Sequence, residues 1–310
     1  MTMLHRIAAL LMAASLSACA GSMRPPLIAN DGIEAGTLLT SVPFHPQAAR
    51  DDCGPAALAM MLGWSGIETD PLKLAPAVYT PGRHGTLQAD IVQAGRRSGR
   101  LVVAIDSFKD LLAELDAGHP VLVLQNLGLQ RWPVWHYAVV IGYDLDRRSI
   151  VLHSGKTEQL EMSFQAFDAS WRSPGRWGLT ITPPEHLPET LDRRAGLNAA
   201  NGLEQAGQAL AAGAVYGALL DRWPGDLTAL MGFGNARYAA GDIDAASQTF
   251  RHAVTLHPSA TEAWNNLAVT LGDLGQYGEA LHSANQAIQL GGPHQSAALQ
   301  TLAELQAEIR

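Results

Sequence analysis

The sequence predicts an α+β domain over residues 39–183 followed by an all-α repeat solenoid over residues 195–310. Three observations carry that reading. Helical patterns come first in the amino-terminal half, and four β-branched apolar runs follow them. The carboxy-terminal half repeats every 34 residues. Between them, Pro183-Pro184-Glu185-His186-Leu187-Pro188 marks a shift in composition and reads as a hinge within a linker over 184–194. At 310 residues, the chain has length for about two domains.

The first residues read as a targeting segment and stand outside the fold. His5-Arg6 is weakly basic, and Ile7 to Leu16 is apolar but shorter than the roughly 20 residues of a membrane span. Leu16-Ser17-Ala18-Cys19 resembles the lipobox of bacterial lipoproteins, whose cysteine is acylated and becomes the first residue. The resemblance implies a signal over 1–19, lipidation at Cys19 and a place in the cell envelope. Ala20 after the cysteine, in place of Asp, resembles the enterobacterial signal for the outer membrane, here on its periplasmic face. An ordinary secretory signal is the alternative. Residues 20–38, with Arg24-Pro25-Pro26, Gly32 and Gly36, read as a tether.

The α+β domain is then read in order. Ser41-Val42-Pro43-Phe44 is expected as a short edge strand, where proline is tolerated. Gly54-Pro55 opens the apolar run Ala56 to Leu62, a helix that Gly63 and Gly66 stop; proline suits a first helical turn, where its missing N–H costs nothing. Asp70 to Val78 and Leu87 to Ala94 read as helices on either side of a Gly82–Thr86 loop. Ser107 starts a capped helix that runs to Gly118. His119, before Pro120, reads as a turn residue. The period then changes. Val121 to Leu124, Tyr137 to Tyr143, Ser149 to Leu152 and Trp177 to Ile181 are expected strands, with Asp144 to Arg148 as a turn.

The chemistry centres on Cys53. The chain has two cysteines, so acylation of Cys19 leaves Cys53 without a disulfide partner. It falls at the predicted helix start, where unpaired backbone N–H groups and the helix dipole favour a thiolate. His136 heads the second strong strand, and a cysteine nucleophile needs a base distant in sequence but close in space. Gln47, six residues before the cysteine, has a side-chain amide suited to an oxyanion, together with the Cys53 backbone N–H.

Gln47, Asp52-Cys53-Gly54-Pro55-Ala56 and His136-Tyr137-Ala138-Val139-Val140-Ile141-Gly142-Tyr143 together resemble the bacteriocin-processing cysteine peptidases. These are papain-like enzymes that cut after a double glycine in leader peptides. Over residues 40–182 the resemblance implies a papain-like fold, Cys53 as nucleophile, His136 as base and Gln47 as oxyanion donor. It breaks at the third catalytic position, where the family carries Asp or Asn and this chain reads Leu152-His153-Ser154-Gly155. His153 is the residue expected there, since neutral imidazole accepts a hydrogen bond; a structural role for it is the alternative. His45, His84, Trp132 and Trp135 are weaker candidates for lining a cleft.

In the second half, Gly207, Gly241 and Gly275 stand 34 apart, as do Pro224, Pro258 and Gly292, and Ala212, Ala246 and Ala280. This is the tetratricopeptide period. It predicts about three helix–turn–helix units and a capping helix over 295–310, forming a concave face for a protein partner.

The net charge of −8 argues against nucleic acid as a partner. No residue pattern calls for a metal or a cofactor. The reading is therefore an envelope-anchored cysteine peptidase with repeats that recruit substrate or partner. Two alternatives stay open: a peptidoglycan endopeptidase or amidase, and a catalytically degenerate peptide-binding scaffold.

Overall fold

The computed structural model describes residues 34–310 apart from Arg50, Pro81, Arg83 and His84. The signal segment, Cys19 and His84 therefore lie outside the described residues.

A seven-stranded antiparallel sheet organises the amino-terminal part, in the order β4-β9-β5-β6-β7-β8 with β1 beside β6. The strands are β1 (Gly36–Leu38), β4 (Leu101–Ile105), β5 (Val121–Asn126), β6 (Trp135–Asp144), β7 (Ser149–Ser154), β8 (Thr157–Ser163) and β9 (Gly178–Thr182). A separate two-stranded ribbon joins β2 (Tyr79–Thr80) to β3 (Gly85–Thr86). β5 pairs with β6 from Asn126↔Trp135 to Val121↔Val140, and β1 pairs with β6 from Leu38↔Gly142 to Gly36↔Asp144. Gly142 permits that close approach, since a Cβ there would stand 2.4 Å from the Thr37 carbonyl oxygen.

Helix α1 (Cys53–Trp64) is apolar nearly all round, as a helix buried on every side must be. Its Ala57, Leu58, Met61 and Leu62 pack against Leu122, Val139, Ile141 and Ile181 of the sheet. Helices α2 (Pro71–Val78), α3 (Gln88–Arg97) and α4 (Phe108–Asp116) follow. Ser107 caps α4 by accepting the Asp110 N–H, and Gly118 (φ 87°) ends the segment. Helix α5 (Phe164–Arg172) contributes Phe164, Phe167 and Trp171 to an aromatic cluster with Phe108.

The structure revises several sequence expectations. Ser41–Phe44 is not a strand; it runs beside the end of α1, where Pro43 fills the space a Gly63 side chain would need. The edge strand is β1, inside the stretch read as tether, so the domain begins near Gly36 rather than at residue 39.

Seven helices complete the chain: α6 (Arg193–Gln205), α7 (Ala209–Arg222), α8 (Leu227–Ala239), α9 (Ile243–Leu256), α10 (Thr261–Asp273), α11 (Tyr277–Leu290) and α12 (Gln295–Glu308). Gly207, Gly241 and Gly275 turn the chain between paired helices at φ of 75°, 81° and 71°, a region costly to residues with a Cβ. Ala246, Phe250, Ala253, Ala263, Leu267 and Ala280 form the core between units.

The link between the halves is fastened rather than hinged. Leu191, Ala199, Ala200, Leu203 and Val215 share one core with Leu101 and Val103 of β4. Beside it, Glu114 is wholly buried. It accepts from the Thr190 N–H at 2.7 Å, the Thr190 hydroxyl at 2.6 Å and the Glu189 N–H at 3.3 Å, and lies 2.8 Å from His119 Nδ1. His119 is thus a partner of this carboxylate and stacks edge-on against Trp64.

Candidate active site

The site forms where α1, the start of β6 and the β7–β8 turn converge. Cys53 is the first residue of α1, as the Gly54-Pro55 pattern predicts. The turn before it is closed by Asp52, whose carboxylate accepts the Ala49 N–H at 2.8 Å. Gly54 lies against Thr86 of β3: a Cβ there would stand 2.3 Å from the threonine hydroxyl oxygen and 2.4 Å from its Cβ. The Tyr137 hydroxyl donates to the Thr86 carbonyl at 3.1 Å, tying the ribbon to β6.

A cavity of about 1080 Å³ is lined by Cys53, His136 and Gln47, with Asp51 and Lys156 among its charged residues. Leu87, Leu127, Val134 and Trp135 give it an apolar side. Gln47 is held by its backbone N–H, which donates to the Gly155 carbonyl at 2.9 Å. A Cβ on Gly155 would lie 3.7 Å from Gln47 Oε1 and 3.9 Å from His136 Cε1. The glutamine and the imidazole therefore meet over the same bare glycine.

His136 Nε2 stands 2.9 Å from Ser154 Oγ. That contact leaves Nδ1 as the ring nitrogen available to a thiol, and a base at Nδ1 requires the tautomer whose Nε2–H donates to the serine oxygen. His153, expected in this role, points elsewhere. It is 1% exposed, packs on Phe44, donates through Nε2 to the Val42 carbonyl at 3.3 Å and accepts the Gln159 N–H on Nδ1. Adjacent strand residues face opposite sides of a sheet, and β7 has an irregular register between Leu152 and Ser154. So Ser154, one residue on, reaches the histidine, and a hydroxyl stands where the resemblance implies Asp or Asn. The signal for this residue was its position in the Leu152–Gly155 block, but only strand parity decides between neighbours.

Burial sets the protonation states. It pushes the Cys53 thiol above its ordinary value, with Asp51 adding to the rise; the backbone N–H groups of Tyr137, Gly54 and Cys53 itself pull the other way and lose. Burial pulls the His136 imidazole down. The backbone N–H groups at the helix start favour the anion as anticipated, and desolvation pushes against it more strongly.

Of the weaker candidates, Trp135 lines the cavity, whereas Trp132 and His45 do not. Among the described residues no group of three or more His, Cys, Asp or Glu is placed to hold a metal.

Residues 39–178 match the model of the Peptidase C39 like family, and residues 197–260 and 231–298 each match a tetratricopeptide repeat model. The chain carries a C39-like peptidase domain followed by tetratricopeptide repeats. A putative C39-like peptidase from Bacillus anthracis is similar to it at 21% identity, covering 48% of this chain and 98% of its own, with a TM-score of 0.42. The peptidase domain of Streptococcus ComA, a bi-functional ABC transporter involved in quorum sensing, aligns at 24% identity over 46% of this chain and 98% of its own, with a TM-score of 0.39. For the repeats, the first TPR of Spaghetti (RPAP3), bound to an HSP90 peptide, aligns at 18% identity over 39% of this chain and 98% of its own, with a TM-score of 0.36. No curated protein matches the chain. Within the C39-like domain, Gln47, Cys53, His136 and Ser154 all lie inside the matched stretch.

Proposed function

We propose that the chain is a cysteine peptidase of the bacterial cell envelope, anchored by lipid on Cys19, whose repeats recruit a peptide substrate or a protein partner. The observation that supports the catalytic reading best is the convergence of Cys53, His136 and Gln47 on one cavity, with Ser154 behind the imidazole. Cys53 Sγ attacks the scissile carbonyl carbon and its proton passes to His136. The oxyanion takes hydrogen bonds from the Cys53 N–H and the Gln47 amide. His136 then protonates the departing amine, leaving a thioester on Cys53. Water, deprotonated by the same imidazole, releases the acid and restores the thiol. The family resemblance suggests a small-residue site of the Gly-Gly type.

The test is hydrolysis of Gly-Gly-containing peptides, with mass spectrometry of the intact chain for the thioester. Turnover and thioester should both vanish in Cys53→Ala, and kcat/KM should fall about a thousandfold in His136→Ala, mid-range for the contribution of a general base. The raised thiol and the hydroxyl in place of Asp or Asn favour a second reading, a domain that binds peptides without cutting them. Peptide binding that survives in Cys53→Ala, with neither turnover nor thioester in the parent chain, would select it.

A further inference from the structure

Five of the most exposed large apolar side chains fall within nine residues. Leu127, Leu129, Trp132, Val134 and Trp135 are 53%, 67%, 67%, 43% and 50% exposed. They occupy the hairpin between β5 and β6, and the tip is built rather than loose. Asn126, 6% exposed, accepts the N–H groups of Gly128 and Val134 at 2.9 Å each and donates to Ser173 Oγ at 3.1 Å. The Leu127 N–H donates to the Val134 carbonyl and the Trp132 N–H to that of Leu129. Gly128 lies so close to Trp132 that a Cβ would stand 2.5 Å from its carbonyl oxygen. A buried polar side chain thus holds apolar groups out in water, where they gain nothing for the fold.

We infer that this hairpin tip seats on a lipid bilayer surface. Leu127, Val134 and Trp135 line the peptidase cavity, but Leu129 and Trp132, the two most exposed, do not; they face out beyond it. The Arg131 guanidinium lies 5.5 Å from the centre of the Trp132 ring, and a tryptophan with a neighbouring cation suits the headgroup boundary. Across the exposed tip, residues 127–136, the chain has no acidic residue, although it carries 29 in all. An otherwise anionic protein therefore offers a bilayer a stretch free of repelling carboxylates. β1 enters at the Asp144 end of β6, away from Trp135, and acylation at Cys19 would leave residues 20–33 as a lead of at most about 50 Å. That lead is long enough for the tip to reach the membrane that holds the anchor. The mouth of the cleft would then open at the bilayer surface. The inference does not require the peptidase reading, since its readout is contact with lipid.

The test uses the full chain bound to phosphatidylcholine vesicles whose acyl chains carry bromine, a contact quencher of tryptophan. Residues 1–33 contain no tryptophan, so quenching reports on the folded part alone. The parent chain should be quenched. Trp132→Phe should remove about half of the effect or more, and Leu129→Asp should abolish it by setting a carboxylate at the contact, with thermal stability unchanged in both. No quenching of the bound parent chain would overturn the inference, as would quenching indifferent to both substitutions. Loss of peptide turnover without any quenching would assign the tip to the substrate instead.

Discussion

Replacing Ser154 tests whether a hydroxyl positions the general base. In Ser154→Ala the 2.9 Å contact to His136 Nε2 is lost. A hydrogen bond between neutral groups contributes about 1 kcal/mol net, so kcat/KM should fall about fivefold if the bond holds the ring in its working orientation. The same Nε2–H donates more strongly from imidazolium than from neutral imidazole. Its loss should therefore lower a His136 pKa that burial already depresses, and move the acid limb of the pH profile downward. Ser154→Asp should do the reverse. A carboxylate there makes a charge-assisted bond about twice as strong and raises the imidazole by about one pKa unit or more, so the acid limb moves up. The assay is kcat/KM against pH for the three chains on one peptide. A serine that merely fills space would leave both kcat/KM and the acid limb in place in Ser154→Ala, and that result would refute the argument; Ser154→Asp checks that the acid limb reports on the imidazole.

Two further outcomes follow from packing. Glu114→Ala leaves the Thr190 N–H, the Thr190 hydroxyl and His119 without their buried acceptor, and should cost about 3–5 kcal/mol in denaturant unfolding. Its hydrogen bonds hold the Glu114 pKa below the usual carboxylate value despite burial. The stabilisation is therefore present above the unfolded carboxylate pKa and is lost as pH falls through the folded one, so the gap between parent and variant should narrow in acid. Gly54→Ala drives a methyl into the Thr86 hydroxyl and Cβ; unfolding measurements should show about 1–3 kcal/mol lost to overpacking, and Thr86→Gly in the same chain, which removes every atom of that contact, should recover part of it.

How much of this was legible in the sequence depended on how local the signal was. The α1 start at Cys53, the Ser107 cap, the strands through Val121 and Tyr137, and the 34-residue glycine period are written in adjacent residues, and the structure has them. β8 is faint in the sequence because Thr157–Ser163 is largely exposed and polar, and its alternation is confined to Leu160 and Met162. Leu101–Ile105 does carry a β-branched run, but no element was assigned to it; the structure makes it β4. Gln47, Cys53 and His136 line one cavity, and residue type and spacing single out all three in the sequence. Ser154 is not singled out, because its role depends on which face of β7 it occupies beside an irregular register. The Glu114 contact to Thr190 spans 76 positions, and no local pattern announces a bond of that range.

The common core of β4 and the first repeat has a consequence for how a substrate would be measured out. Leu101 and Val103 are buried against Leu191, Ala199 and Leu203, so the repeats are set at a fixed distance from Cys53 rather than swinging on a leash. A chain gripped by the repeats would enter the cleft with its scissile bond a set number of residues from the grip. If the repeats grip substrate as proposed, the arrangement would act as a ruler: the cut position would be chosen by contour length from the docking point, and residues between the two could vary widely at little cost.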